Sequence, residues 1–583
     1  MRRTTAALAG LTLLAACGAP VQQFHEHPGP VEQPGFVDLA GSVDLAPQSV
    51  VGSSTIERAQ PPNIVLVLMD DFSMDLVQTM QHARTMRREG ASYAHSYVVD
   101  SLCCVSRTSL ATGQYPHQTG VRTNTANLPN AVGPIGGWEA FRTYGNAQRS
   151  VSLRLREAGY KTGLVGKYLN QYEPVPGQAP PPVPPGWSHW RAVFGSAYDG
   201  WDFESTAVED GEVVIRHHPA PPPEASERDK DAAYVGTFIE DEALRFLRQH
   251  RDDRAPYFLQ VAPFAAHQRV GGDGHYPTDP RFPPAFRDRG GAGSCGAVPC
   301  PSLDADDVPG RGDDLTDNVP RHPDGSAAEQ WRTYPYALTD AQVEVRLRSR
   351  ARMVQSVDRM LGRILRTVDD NTYVVLTSDN GYHVGRPGLG SGKATPFDSD
   401  VRVPLLIVGP GVEQGTRTEV VSNLDLAPTF EDLAGLRSPA YRSGVSLVPT
   451  LREAGVNRRD LTFFEHTYAP SLGFDPDATY IGASMDIIPS YVAVRSRTAL
   501  LVRLDLDPSW DGVEHAWEFY DYTDVGWEQT NEYGDPEHAA QIARLTRKFR
   551  QFDACSSFVR DDVVPQECRN LTRGRSPVPP GGR

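Results

Sequence analysis

An uninterrupted run of apolar residues near the start of the chain places the strongest constraint on its fold. The segment Asn63–Met69 reads Asn-Ile-Val-Leu-Val-Leu-Met, has the length of one strand, and stops at Asp70 and Asp71. A strand without polar alternation is typical of the centre of a parallel sheet, where helices cover both faces. The segment therefore predicts a central strand that delivers two carboxylates to one edge of a sheet.

Three later apolar runs repeat this order of a buried strand followed by polar residues. They are Lys161–Gly166, followed by Lys167; Pro256–Phe264, followed by His267; and Thr372–Leu376, followed by Ser378, Asp379, Asn380 and Gly381. Ligands of open α/β sheets bind at the carboxyl ends of the strands, so we expect these polar groups to meet there. Taken alone, Lys167 is more typical of a solvated lysine, and His267 of a hydrogen-bonded loop histidine.

Amphipathic segments separate these strands, so strand and helix alternate along the chain. We predict an α/β fold with a large mixed, mostly parallel sheet flanked by helices. Beyond about Asp460, aromatic-rich strands and the segment Pro536–Phe552 predict a smaller C-terminal α+β subdomain. The predicted site-bearing domain spans residues 61–460, and the subdomain with its tail spans residues 461–583.

The charge of the chain limits its partners. Among 583 residues, 73 aspartates and glutamates outweigh 57 lysines and arginines, for a formal net charge of −16. Bulk electrostatics therefore do not attract nucleic acid or an anionic membrane surface. An anionic substrate needs a local cationic pocket.

The first residues have the pattern of an export signal. Arg2 and Arg3 precede an apolar stretch too short to span a bilayer as a permanent helix, which predicts a signal peptide over residues 1–17. The sequence Leu-Ala-Ala before Cys17 resembles a bacterial lipobox, so we expect lipid attachment at Cys17. An ordinary cleavage site with a chance cysteine is the alternative. Residues 18–60 are rich in Pro and Gly and predict a linker. We accordingly expect an exported protein, either lipid-anchored to the cell envelope or secreted, that meets the membrane only through its lipid.

Two close pairs of cysteines agree with an oxidising compartment. Cys295 and Cys300, and likewise Cys555 and Cys568, lie in loop-rich sequence at spacings that suit local disulfides. Cys104 is left over and is predicted to be buried. A zinc cluster is the alternative, but the usual Cys-x-x-Cys and His spacings are missing from the sequence.

The segment Ser101–Gly113, Ser-Leu-Cys-Cys-Val-Ser-Arg-Thr-Ser-Leu-Ala-Thr-Gly, predicts a loop that turns into a short helix ending at Gly113. Cys103 and Arg107 then lie at the helix N-terminus. Free backbone N–H groups and the helix dipole favour an anion there, and the guanidinium adds a fork of donors that fits sulfate or phosphate. A buried Cys-Cys pair under a helix cap is the structural alternative.

This segment resembles the signature of the type I sulfatases, members of the alkaline phosphatase superfamily. In their pattern, Cys-x-Pro-Ser-Arg followed by Thr-Gly, the first cysteine is oxidised during export to formylglycine, the nucleophile of the family. Cys103 takes that position here, and Val105 stands where the family has proline or sometimes alanine. The Cys-Cys pair, the run Tyr115-Pro116-His117 and the run Gly-Lys-Tyr-Leu-Asn are most similar to the N-acetylglucosamine-6-sulfatase branch.

The resemblance implies a role for each matching residue. It implies one calcium ion held by Asp70, Asp71, Asp379 and Asn380. It implies sulfate binding by Lys167 and Lys393, support of the hydrated formylglycine by Arg107, and protonation of the leaving alcohol by His267. The same likeness suggests substrate contacts for His117, Asn170 and His383.

The resemblance further implies an alkaline phosphatase-like fold and a sulfuric ester hydrolase that acts on a sulfated sugar or glycan, such as 6-sulfated N-acetylglucosamine. Its partner during maturation would be a formylglycine-generating enzyme. Two alternatives share the same residues: a phosphate or phosphonate ester hydrolase, and a non-catalytic lipoprotein that binds sulfated glycans.

Overall fold

A ten-stranded sheet forms the centre of the protein in its computed structural model. The structure describes residues 60–125, 132–175, 177–270, 273–290, 294–456, 458–468, 487–507, 514–556 and 563–573. The predicted signal peptide, Cys17 and nearly all of the predicted linker lie outside these residues. No helix among the described residues is both long and apolar enough to cross a membrane.

The helices and strands alternate along most of the chain. The described strands are β1 (Asn63–Met69), β2 (Ala91–Tyr97), β3 (Lys161–Gly166), β4 (His189–Gly195), β5 (Phe203–Glu209), β6 (Glu212–His218), β7 (Tyr257–Ala262), β8 (Thr372–Ser378), β9 (His383–Arg386), β10 (Gly390–Gly392), β11 (Leu405–Val408), β12 (Gly415–Ser422), β13 (Leu461–His466), β14 (Ser490–Ser496), β15 (Ala499–Asp505) and β16 (His515–Asp521). The described α-helices are α1 (Gln81–Glu89), α2 (Cys103–Thr112), α3 (Pro116–Thr119), α4 (Gly137–Thr143), α5 (Val151–Glu157), α6 (Glu227–Ala232), α7 (Val235–Gln249), α8 (Asp340–Met353), α9 (Gln355–Thr367), α10 (Asp398–Val401), α11 (Leu426–Leu433), α12 (Val448–Arg452), α13 (Ala539–Cys555) and α14 (Gln566–Arg573).

The large sheet has the strand order β12-β2-β11-β8-β1-β7-β3-β4-β5-β6. Its centre is parallel: β1 pairs with β7 and β8, and β3 pairs with β7 and β4, all in parallel. Antiparallel pairing enters through β11 on one side and through the β4-β5-β6 meander on the other. This mixed, mostly parallel sheet confirms the predicted fold class.

The apolar run of β1 builds both layers of the core. Because successive side chains of a strand point to opposite faces, Val65, Val67 and Met69 pack into one hydrophobic cluster, whereas Ile64, Leu66 and Leu68 pack into the other. All six side chains are essentially inaccessible to solvent. Burial on both faces explains why this strand carries no polar alternation.

Helices α8 and α9 cover one face of the sheet. Thr339 Oγ1 accepts a hydrogen bond from the N–H of Gln342 and so caps α8, as its position before the helix predicts. The apolar residues Val357, Met360, Leu361 and Ile364 follow the helical repeat in α9 and are buried. A cap at Thr339 followed by this apolar repeat predicts one continuous helix, but the structure ends α8 at Met353 and starts α9 at Gln355.

The C-terminal part of the chain forms a separate four-stranded antiparallel sheet, β13-β14-β15-β16. Helix α13 packs on it through Leu545, Phe549 and Phe552. The ring of Phe552 stacks on Phe463 of β13 at a centroid distance of 4.2 Å. All described residues belong to one compact unit, so the boundary near residue 460 remains an interpretation of the sequence.

The cysteine pairs lie where local loops bring them together. The structure joins Cys295 to Cys300 with an S–S distance of 2.06 Å, and Cys555 to Cys568 with one of 1.96 Å. The second bond links α13 to α14. Cys103 and Cys104 are buried and are not joined to another cysteine among the described residues.

Candidate active site

Four neighbouring strands deliver polar groups to one edge of the sheet. β1 lies between β8 and β7, and β3 follows β7, with parallel pairing throughout. The residues that follow the four strands are Asp70 and Asp71 after β1, Lys167 after β3, His267 after β7, and Asp379 and Asn380 after β8. Side chains that are far apart in sequence therefore meet in one buried cluster.

Helix α2 brings Cys103 into this cluster. Leu102 has an extended backbone, and its N–H donates to Asp100 Oδ1 at 2.8 Å, which positions the start of the helix. Gly113 ends the helix in the left-handed region, with φ of 63°. Cys103 is the first residue of the helix, and its Sγ lies 2.9 Å from Lys393 Nζ.

Three buried ion pairs surround the thiol. The pairs are Lys167 Nζ with Asp70 Oδ2 at 2.6 Å, Lys393 Nζ with Asp71 Oδ1 at 2.8 Å, and Arg107 Nε with Asp379 Oδ2 at 2.7 Å. None of these side chains is more than 3% exposed. Charges so far from water require close partners, and removal of one partner leaves the other uncompensated.

Burial and these pairs set the charge states of the cluster. Burial raises the pKa of the Cys103 thiol well above its ordinary value, although Lys167 and Lys393 act to lower it. Burial acts to lower the pKa of Lys167, but the Asp70 carboxylate holds that pKa well above its usual range. At neutral pH the lysine is therefore charged and the thiol is protonated, and a protonated thiol is a poor nucleophile.

The donor set fits a hard divalent cation. Asp71 Oδ2 and Asn380 Oδ1 are buried oxygens without a hydrogen-bond partner among the described residues. Ligand atoms of Asp70, Asp71, Cys103 and His267 lie within 4.8 Å of one another. Carboxylate and amide oxygens are the ligands that calcium and magnesium prefer. The buried, unpartnered oxygens are thus accounted for by a cation in this position.

Asp71 has an unusual backbone conformation. Its φ is 55°, in the left-handed region that few non-glycine residues adopt, although aspartate is among the more tolerant. Its N–H donates to Asp379 Oδ1 at 3.2 Å, and its carbonyl oxygen accepts from Arg350 Nη2 at 2.5 Å. These bonds hold the turn after β1, and strained residues of this kind concentrate at functional sites.

Arg107 extends into the cluster and has one N–H group available to a ligand. Its Nε donates to Asp379 and its Nη1 donates to the carbonyl oxygen of Lys167 at 3.1 Å. Its Nη2 is buried and has no hydrogen-bond partner among the residues that the structure describes. The guanidinium is therefore fixed at two points and offers a third donor to an anion.

The ring of His267 is oriented by a backbone contact. Nδ1 lies 2.6 Å from the carbonyl oxygen of Gln268, and because a carbonyl only accepts, Nδ1 carries the hydrogen. Nε2 lies 3.8 Å from Asp71 Oδ2 and faces the cluster. In its charged form the ring therefore holds a proton at Nε2 beside the buried carboxylates.

Two other predicted residues have different surroundings. His117 Nδ1 pairs with Glu465 Oε1 at 2.6 Å, and its ring stacks on Tyr115. The N–H of Asn170 donates to the Sγ of Cys104 at 3.0 Å. The structure therefore places both residues in contacts beside α2, and their roles as substrate ligands stay predictions.

His383 borders a cavity of about 400 Å³. Its Nδ1 lies 3.0 Å from both carboxylate oxygens of Asp400, and its Nε2 is buried without a hydrogen-bond partner in the described part of the chain. Arg350, which binds the backbone of Asp71, and Tyr382 also line this cavity. The cavity is therefore adjacent to the charged cluster, and substrate binding by His383 stays a prediction.

Two residues that the sequence reading missed contact the cluster. The ring of Tyr198 lies 5.1 Å from Lys167 Nζ and 4.6 Å from the ring of His267. Tyr198 comes from a short turn between β4 and β5, where no motif marks it. Arg350 could have been found, because it is a charged residue on the apolar face of α8, next to Leu347 and Ala351.

The Sulfatase family matches residues 62–436, which include every residue of the charged cluster. The extracellular sulfatase SULF-1 homolog of Drosophila melanogaster is 32% identical over 410 residues, which cover 68% of this chain and 32% of the relative. The N-acetylglucosamine-6-sulfatase of Homo sapiens is 28% identical over 409 residues, which cover 67% of this chain and 65% of the relative. The chain thus spans between about a third and two thirds of the length of these curated relatives.

Solved structures share the fold. BT4656, in complex with its substrate D-glucosamine-2-N,6-O-disulfate, has a TM-score of 0.57 and 20% identity, covering 87% of this chain and 100% of that one. The phosphonate monoester hydrolase SpPMH from Silicibacter pomeroyi has a TM-score of 0.58 and 20% identity, covering 85% of this chain and 95% of that one. At this level of identity, the likeness concerns the fold alone.

Proposed function

Because the chain belongs to the sulfatase family, we propose that it hydrolyses sulfate monoesters of a sulfated sugar or glycan, such as 6-sulfated N-acetylglucosamine. The observation that carries the proposal is the position of Cys103. Its Sγ lies 2.9 Å from Lys393 Nζ at the N-terminus of α2, among three cation–carboxylate pairs. These cations can bind the oxygens of a sulfate ester beside the residue that would attack it.

Cys103 would act after its conversion to formylglycine by a formylglycine-generating enzyme. The raised pKa of the thiol supports this, since a buried, protonated thiol has little nucleophilic power of its own. The hydrated aldehyde would supply the hydroxyl that attacks sulfur and, after the alcohol has left, the second hydroxyl that releases sulfate.

The buried oxygens of Asp70, Asp71, Asp379 and Asn380 would hold one calcium ion. A bound calcium ion would supply positive charge to the attacking oxygen and to the sulfate. The other sulfate oxygens would be bound by Lys167, Lys393 and the Nη2 of Arg107. Contacts with carboxylates already hold each of these cations in position at the cluster.

His267 would deliver the proton that the leaving alcohol needs. Its Nδ1–H is fixed on the carbonyl oxygen of Gln268, so the proton that it can transfer is held at Nε2, on the side of the cluster. A histidine oriented in this way can act as a general acid.

The substrate class rests on the branch that the chain resembles. The Homo sapiens relative is named an N-acetylglucosamine-6-sulfatase, and the substrate of BT4656 carries a 6-O-sulfate. Because the cluster is buried, the alcohol part of a substrate would bind in the adjacent cavity of about 400 Å³. This cavity is large enough for a sugar residue.

A phosphonate or phosphate monoester hydrolase is a second candidate, and the likeness to the SpPMH fold favours it. The same cations would bind a phosphoryl group. A phosphate monoester, with two negative charges, would need more positive charge than a sulfate monoester, and each described cation of the cluster already has a carboxylate partner. The pairing therefore favours a sulfate ester over a phosphate monoester, whereas a phosphonate monoester has the same single charge as a sulfate ester and is distinguished by the substrate comparison below.

The proposed enzyme is exported. The pattern around Cys17 and the two disulfides support an oxidising compartment and attachment to the cell envelope through a lipid. An extracellular sulfatase among the relatives agrees with export.

The test compares sulfate, phosphate and phosphonate monoesters as substrates of protein purified from its native host. We expect turnover of sulfate esters, with N-acetylglucosamine 6-sulfate among the best, and none after Cys103→Ala. Cys104→Ala is the matched control, because it removes the neighbouring buried thiol and should retain activity. A preference for phosphonate esters, or activity that survives Cys103→Ala, would contradict the proposal.

A further inference from the structure

A second cationic cavity lies away from the cluster around Cys103. It has a volume of about 650 Å³ and is formed by α5, the segment after α11, and the C-terminal helix α14. Four arginines line it, and none of the described residues that line it is a carboxylate. We call this cavity, defined by Arg154, Arg437, Arg569 and Arg573, the basic pocket. Such an accumulation is unexpected in a chain with a net charge of −16.

Helix α14 places two of these arginines side by side. Arg569 and Arg573 are four residues apart, so they share one face of the helix. Burial, together with Arg569 and Arg442 nearby, lowers the pKa of Arg573 to about 10. Its Nε is buried without a hydrogen-bond partner among the described residues. Positive charge at this helix face is therefore incompletely compensated.

Glu431, the carboxylate that pairs with Arg154, is shared with Arg442, which does not line the pocket. Glu431 Oε1 accepts from Arg154 Nε at 2.6 Å and from Arg442 Nη2 at 2.7 Å. Its Oε2 accepts from Ser438 Oγ at 2.6 Å and from Arg442 Nε at 3.0 Å. One carboxylate thus serves two guanidinium groups, and among the described residues no ion pair joins Arg437, Arg569 or Arg573 to a carboxylate.

The walls of the pocket are held in place by bonds that do not involve an anion. The Cys555–Cys568 disulfide ties α14 to α13. Thr572 Oγ1 donates to the carbonyl oxygen of Ser443 at 3.2 Å, and the carbonyl oxygen of Thr572 accepts from Arg459 Nη1 at 2.7 Å. Arg573 also donates to the carbonyl oxygen of Arg442. A ligand would therefore meet a site that is already formed, which lowers the entropic cost of binding.

The pocket and Cys103 lie at opposite ends of α2. Cys103 begins the helix, whereas Arg442, which contacts Arg573, donates from Nη1 to the carbonyl oxygen of Thr112 in its last turn. Ten helical residues span about 15 Å. A single sulfated sugar cannot occupy both sites, so only a ligand of several sugars could contact both.

We propose that the basic pocket binds a second sulfate-bearing segment of a sulfated glycan, away from the ester that is hydrolysed. Arginine forks fit sulfate oxygens with paired hydrogen bonds, and the cavity has the size of a site for one or two sugars. The negative net charge opposes docking of a flat anionic surface, whereas a concave pocket can admit a flexible chain. The identity of the anion rests on the proposed function, but the existence of an anion site does not.

The test removes charge from the exposed part of the pocket. Arg437 is exposed and Arg569 half-buried, so Arg437→Ala with Arg569→Gln should leave the fold intact, as a thermal unfolding curve will check. Arg248→Ala with Arg251→Ala is the matched control, since Arg248 in the last turn of α7 and Arg251 just after that helix are both exposed, and their replacement removes the same charge. Both pairs are placed in the full chain with Cys103→Ala, which prevents turnover during binding measurements.

Binding of a heparin octasaccharide is measured by calorimetry at physiological salt. We expect the pocket variant to bind at least about tenfold more weakly than the control, because two charge-assisted contacts are lost. With Cys103 restored, kcat/KM for a sulfated oligosaccharide should fall by a similar factor, and kcat/KM for a monosulfated sugar should not change.

Equal octasaccharide affinities of the two variants would overturn the proposal, even if the enzyme hydrolyses sulfate esters. The pocket variant alone could lose octasaccharide binding in a protein that hydrolyses no sulfate ester. That result would support a glycan site at the basic pocket and refute the proposed function. Binding to phosphatidylserine vesicles that depends on the same arginines, without oligosaccharide binding, would assign the pocket to a membrane and overturn the glycan proposal.

Discussion

Arg107→Lys tests whether geometry, rather than charge alone, makes the cluster a sulfate site. Arginine is fixed by Nε on Asp379 at 2.7 Å and by Nη1 on the carbonyl oxygen of Lys167 at 3.1 Å, which leaves Nη2 for the substrate. Lysine keeps the charge but cannot reach all three positions with one ammonium group. Loss of one preorganised donor costs about 2.7–4 kcal/mol of transition-state stabilisation, so kcat/KM should fall by about 100- to 1000-fold.

The assay is kcat/KM for N-acetylglucosamine 6-sulfate, expressed per converted enzyme. Arg417→Lys is the matched control. Arg417 is also buried, but it donates to the backbone carbonyl oxygens of Thr450 and Gly415, outside the cluster. The control should lower stability and leave kcat/KM of the folded protein unchanged. If Arg107→Lys stayed within about threefold of the wild type, or if both variants lost activity equally, the argument from geometry would be wrong.

Three further outcomes are expected. Chelation should abolish activity, and added calcium should restore it. Asp71→Asn should bind less calcium in equilibrium dialysis, because a buried carboxylate ligand is lost. Undiminished calcium binding by this variant would refute the ligand assignment. Phe552→Ala should lower the free energy of unfolding by about 3–5 kcal/mol in urea titrations, because its buried ring stacks on Phe463. A loss below about 1 kcal/mol would mean that α13 contributes little to the C-terminal core. Cys17→Ser should move the protein out of the membrane fraction or block its maturation, and an unchanged fraction would rule out lipid attachment.

The strands and the order of the site residues could be predicted from the sequence, because both depend on local sequence patterns. β1 could be recognised from its apolar run, and Asp70 and Asp71 from their place at its end. The shared edge then follows from parallel strand pairing. α2 could be anticipated in the same way, since Gly113 supplies the left-handed residue that ends it.

What the sequence did not reveal depends on contacts between distant segments. The break between α8 and α9 falls within a continuous apolar pattern, which carries no mark of it. Tyr198 reaches Lys167 and His267 from a turn whose position is set by tertiary packing. The basic pocket combines α5 with α14, more than 400 residues apart in the chain, so its charge is dispersed in the sequence.

The central claim is that Cys103 is converted and then carries the reaction, despite Val105 at the position where the family has proline. Mass spectrometry of the tryptic peptide Glu89–Arg107, from protein made in the native host, reports this directly, because conversion replaces the thiol by an aldehyde and changes the peptide mass. Fragmentation assigns the change to Cys103 or Cys104. We expect the aldehyde at Cys103, and Val105→Pro should raise the converted fraction without altering activity per aldehyde. A peptide that carries only unmodified Cys103, in a preparation that hydrolyses sulfate esters at full rate, would contradict the mechanism.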